Sequence, residues 1–95
     1  MIPENRIPTH PGVILSREFL TPLGISQVAF AGHLGVPVQR INELINGKRG
    51  ITPSTAWLLA AALDTTPEFW INLQTAYDLA RSRPSEPVQK LAAVS

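Results

Sequence analysis

Apolar positions along this chain fall at separations of three and four, and proline and glycine cut the pattern into short segments, so the spacing predicts helices and no strand. The first helix, about Pro11 to Thr21, opens on a proline suited to a first helical turn. It sets Leu15 and Phe19 on one side with Ile14, and Val13 and Leu20 on the other. Ser26 caps a second, two-turn helix of about Gln27 to Leu34, with Val28, Ala31 and Leu34 facing inward. Gly35 ends it where a left-handed residue is wanted, and Pro37 starts a third helix reaching about Asn46. There Ile41, Leu44 and Ile45 share one face, while Gln39, Asn42, Glu43 and Asn46 make the opposite face wholly polar.

Asn46-Gly47 forms a turn, a basic loop Lys48-Arg49-Gly50 follows, and Thr52-Pro53 caps and opens a fourth helix that is apolar all round from Ala56 to Leu63. Such a helix is central to a core or covered by a partner. Asp64 takes the left-handed position after it, and Thr66-Pro67-Glu68 opens a fifth helix. Phe69, Trp70, Leu73, Ala76, Tyr77 and Ala80 make its buried stripe, and Ile71, Thr75 and Leu79 a second, narrower one with no home in so small a fold. The predicted architecture is all-α with five helices: an extended arm over residues 1–10, a domain over 11–81 and a loose tail over 82–95. Within the tail, Val88 to Val94 is the stretch that a partner would order.

Composition narrows the class. A length of 95 residues with 44% hydrophobic and 16% charged residues suits one folded domain. The absence of cysteine excludes disulfides and thiolate zinc, and with no signal core or membrane-length apolar run the expected location is the cytoplasm. A formal net charge of +1 hides an uneven distribution. Between residues 21 and 51 lie Arg40, Lys48 and Arg49 against Glu43 alone, whereas residues 52–80 carry only the acids Asp64, Glu68 and Asp78.

The segment Ser26 to Asn46, helix, tight turn and helix, meets the requirements of a helix-turn-helix reader, with small Ala31 and Gly35 allowing a close crossing and Ile41 packing between. Amides and a carboxylate on the outer face suit base edges: Gln pairs with adenine, and Glu accepts from cytosine N4. Solvation is the commonest fate of a polar helix face, but turn, crossing residues and flanking cations agree on recognition. Trp57, Phe69, Trp70 and Tyr77 fall on helical stripes and read as core rather than as a stacking platform. His10 and His33 lack metal-ligand spacing, and no catalytic constellation is visible, so neither metal, cofactor nor enzymatic activity is expected.

The run Ser26-Gln27, Ala31, Leu34-Gly35-Val36, Ile41-Asn42 and Ile45-Asn46-Gly47-Lys48-Arg49 resembles the DNA-binding core of lambda-type repressors. More narrowly, His10-Pro11-Gly12, Pro22-Leu23-Gly24-Ile25-Ser26-Gln27, Arg40-Ile41-Asn42-Glu43 and Pro67-Glu68-Phe69-Trp70-Ile71-Asn72-Leu73-Gln74 with Tyr77-Asp78-Leu79 resemble the HigA/VapI-type antitoxins. Val13 stands where that family often has an acid, and Asp64 where it usually has glycine. The resemblance implies a lambda-repressor-like fold in which Val38, Gln39, Asn42 and Glu43 read bases. Gln27, Arg40, Asn46, Gly47, Lys48 and Arg49 hold phosphates. It implies a homodimer on a double-stranded palindromic operator, repression of its own operon and a HigB-like RNA-cleaving toxin as partner; a free-standing phage-repressor-like regulator with no toxin is the alternative. The two-fold symmetry that a palindrome demands makes Ile71 and Leu79 the expected dimer interface.

Overall fold

A computed structural model describes residues 7–92 and contains, among them, helices and no strands. The first helix, α1, is α-helical over Pro11–Ile14, π-helical over Leu15–Leu20 and α-helical again over Thr21–Leu23. Four more follow: α2 (Gln27–Leu34), α3 (Val38–Ile45), α4 (Pro53–Leu63) and α5 (Pro67–Arg81). The π-turn explains why both Leu15 and Leu20 are buried although α-helical spacing sets them on different sides: widening the turn returns residues five apart to one face. The Thr21 amide bonds Ser16 O within this turn. Pro22 supplies a cause, since a proline ring crowds the carbonyl four residues back in an ordinary α-turn.

The ends of the other helices follow local chemistry. Ser26, Thr52 and Thr66 each accept a hydrogen bond from the amide three residues on, at 3.0, 3.3 and 3.1 Å. Asp64 closes α4 in the left-handed region at φ 55°. Pro37 is the N-cap of α3, with ψ 143°, rather than its first residue, because its extended backbone belongs to the turn.

The core gathers Leu15, Leu20, Phe30, Ala31, Ile41, Leu44, Ile51, Ala56, Leu59 and Trp70. α4 packs along α5, α2 crosses α3, and α1 lies against α3 and α5. Trp70 is fully enclosed, its indole N–H donating to Thr65 Oγ1 at 2.8 Å and its ring against Phe19 and Phe69. The inward pattern differs from expectation at three places. Val28 is 70% exposed, with Phe30 taking the inward place beside Ala31. Trp57 is 66% exposed and Phe69 partly so, because a helix packed on the core through one face leaves the rest of its circumference open. Gly35 has open space around it and is required for φ 74° rather than for a close crossing. The tight approach is at Gly12, where a Cβ would overlap the Leu44 carbonyl, so α1 rests on the C-terminal end of α3.

His10, placed in the arm by sequence, is buried and caps α1, accepting the Gly12 amide on Nδ1 at 2.9 Å. The rest of the expected arm falls largely outside the described residues, as do Ala93 to Ser95 of the tail; residues 82–92 carry no helix and are exposed.

Candidate nucleic-acid interface

Local chemistry clamps α3 at both neighbouring turns. At the end of α2 the Val36 amide bonds Ala31 O at 3.0 Å and the Gly35 amide bonds Gly32 O at 3.3 Å. At the end of α3 the Lys48 amide bonds Glu43 O at 2.8 Å and the Gly47 amide bonds Leu44 O at 3.2 Å. Each pair is the double bond of a Schellman turn and places a glycine with φ 74° at the reversal. With Ile41 and Leu44 buried, the rotation of α3 about its axis is fixed, and Val38, Gln39, Asn42 and Asn46 face outward.

The side chains on this surface form two groups. Asn46 Nδ2 donates to Asn42 Oδ1, and Asn42 Nδ2 donates to Gln27 Oε1, both at 3.2 Å, tying the first residue of α2 to the outward face of α3. The second group lines a hollow of about 340 Å³ formed by Pro37, Gln39, Arg40, Glu43 and Arg49. In it Arg49 donates from Nε and Nη2 to Glu43 Oε1 at 3.1 and 2.9 Å. Their side chains are 50% and 30% exposed, and a pair this open is worth about 0.2–1 kcal/mol to stability. Arg40 is half-buried, its Nη2 donating to Thr55 Oγ1 at 2.7 Å, so it buttresses α3 against α4 instead of extending towards solvent.

Lys48, Gly47 and Arg49 border a second hollow of about 340 Å³ whose far wall is Tyr77, Asp78 and Arg81 of α5, with His10 and Gln74 also lining it. Gln74, buried, anchors the basic loop: its Oε1 accepts the Ile51 amide at 2.7 Å, and its Nε2 donates to Asp78 at 2.9 Å. Sequence reasoning missed both Gln74 and Arg81. Arg81 lies over the Tyr77 ring, 5.2 Å from its centroid, and adds a cation to this hollow. Their link to the loop crosses more than twenty residues; the one signal was a glutamine on an otherwise apolar stripe. Burial lowers the pKa of His10 and Arg81 lowers it further, against an opposing pull from Asp78; its ring meets Tyr77 edge-on at 4.8 Å.

On the opposite part of α5, Ile71 lines an apolar groove of about 250 Å³ with Pro53, Ala56, Trp57, Pro67, Glu68 and Asn72. Leu79, two turns on, is 68% exposed. Sequence reasoning paired these two but set Trp57 in the core.

A short tight turn between α2 and α3, a buried seam and a polar outward face define the helix-turn-helix class. The HTH_3 helix-turn-helix family matches residues 17–70. The chain is 46% identical over 77 residues to virulence-associated protein I of Dichelobacter nodosus, covering 80% of this chain and 71% of that protein. It is 46% identical over 79 residues to antitoxin HigA-1 of Vibrio cholerae, covering 83% and 74%. It also superposes on antitoxin GraA, solved in complex with its operator, with a TM-score of 0.84 and 38% identity over 98% of this chain and all of the other. The chain belongs to the helix-turn-helix family, within its HigA/VapI antitoxin branch. Among the described residues no helix is long and apolar enough to cross a membrane.

Proposed function

We propose that the chain is a sequence-specific repressor that binds its operator as a homodimer and serves as the antitoxin of a type II pair, neutralising a HigB-like toxin. The observation that carries this reading is the outward polar face of α3, held at a fixed rotation beside a cluster of cations. The likeness to GraA bound to its operator supports it, as does the family of named antitoxins. α3 enters the major groove, where Val38, Gln39, Asn42 and Glu43 read base edges. Val38 offers an apolar contact to a thymine methyl, and Gln39 an amide pair to adenine. Gln27, Asn46, Gly47 and Lys48 contact phosphates, with Arg40 bracing α3 from behind.

Two copies pair across Ile71 and Leu79 on α5, with Trp57 extending the apolar patch, so that the reading helices lie about one DNA turn, roughly 34 Å, apart. The domain spans residues 11–81 with His10 as its cap, and the role is non-catalytic and cytoplasmic. Mass action on phosphates makes binding salt-dependent: with roughly six or more contacts per dimer, affinity falls about a thousandfold between 50 and 200 mM salt. A footprint on the DNA upstream of its own coding sequence, repeated across that salt range, tests the reading. A protected palindrome is expected; uniform, salt-insensitive binding overturns it.

A further inference from the structure

Arg49, for which the family resemblance implies a phosphate contact, is engaged in an ion pair with Glu43. Its two donors converge on Oε1 of Glu43, which anchors the carboxylate at that oxygen and leaves Oε2 outside the pair, and a pair so open to water adds little stability of its own. Glu43 forms part of the wall of the hollow that Gln39 also lines. An unclamped carboxylate approaching a duplex is repelled by the phosphates. Arg49 neutralises that charge, while Oε2 keeps its capacity to accept. Cytosine presents its N4 amino group as a donor in the major groove, whereas the amino group of adenine stands beside the N7 acceptor, whose lone pair opposes a carboxylate.

We propose that Arg49 is a positioning residue for specificity: it clamps Glu43 so that Oε2 accepts a hydrogen bond from the N4 amino group of a cytosine in the operator. The inference rests on the groove reading given under Proposed function. Selecting the full chain's preferred duplex from a random library, then measuring fluorescence anisotropy on that duplex and on its single-base-pair variants between 50 and 200 mM salt, separates the two.

One C·G pair is expected at which Glu43→Ala and Arg49→Lys each erase about tenfold of discrimination, with the double variant no worse than Glu43→Ala alone. The salt slope is expected to stay unchanged in Arg49→Lys and to steepen by about one in Glu43→Ala, where the freed guanidinium reaches a phosphate. Lys48→Ala, the control, flattens the slope by about one and alters no base preference. If Arg49→Ala flattens the slope, Arg49→Lys restores it and every preference survives, Arg49 is a phosphate contact and the proposal is overturned. If Glu43→Ala changes no position while Gln39→Ala changes one, the clamp fails and the groove reading stands. If selection yields no preferred duplex, the groove reading itself fails and the proposal falls with it.

Discussion

His10 holds the start of α1 with a lone pair, and protonation at Nδ1 removes that acceptor. Because its folded pKa lies below the ordinary value near 6.5, the unfolded chain takes up the proton first as pH falls. The contribution is therefore fully present above pH 6.5 and is lost as pH descends through the lower folded value. Melting temperatures followed from pH 7.5 to 5 should drop, and His10→Gln should flatten the drop; an unchanged slope in that variant would shift the cause to other groups. Gln74 offers a second test. Gln74→Met keeps the volume but strands the buried Ile51 amide, at a cost of about 1–3 kcal/mol in denaturant unfolding. The loop carrying Lys48 loses its anchor, so DNA affinity should fall alongside stability. Neither residue was legible beforehand as structural: His10 lay at the edge of a proline-rich arm, and a glutamine announces its bonding partner only once the chain is folded.

Among whole elements, the helix ends were the clearest part of the sequence. Gly35, Gly47, Pro53 and Pro67 stand at or next to the boundaries they imply, because each acts through its own backbone. The faces were harder to read. Five-residue spacing between Leu15 and Leu20 has no place in a 3.6-residue period, so the π-turn was invisible until the core required both. The outward places of Val28 and Trp57 were hidden for another reason: burial depends on whether a neighbour exists, which hydrophobicity alone does not say. The turn between α2 and α3 and the outward polar face of α3 were legible because they are local, whereas the wall that α5 adds to the basic loop was not. Asp64 provides a prediction at this level. It holds a left-handed backbone, exposed and at the end of α4, so Asp64→Gly removes strain of about 1–2 kcal/mol against a smaller entropic loss. A melting temperature higher by a few degrees is expected in calorimetry; a lower one would mean that the carboxylate stabilises the turn.

At the scale of the whole molecule, the two surfaces are separate. The cations lie around the loop after α3, and the apolar groove lies between α4 and the start of α5. Pairing through the second therefore leaves the first open to a duplex. Ile71→Asp combined with Leu79→Asp should give a monomer by light scattering, with little loss of helix content because neither residue belongs to the fully buried core. Such a monomer should retain weak, non-specific DNA binding and lose the palindrome, since one reading helix spans only a half-site. A dimer that survives both substitutions would locate the interface elsewhere.

The enclosure of Trp70 and the exposure of Trp57 also give the molecule two distinct optical reporters. One indole sits in a dry, rigid setting and the other in water, so acrylamide should quench their emission to different extents. Trp57→Phe leaves a beacon for unfolding alone, and Trp70→Phe leaves one on the apolar groove. If copies meet there, shielding of the outer indole should rise with concentration while the inner one stays dark to the quencher.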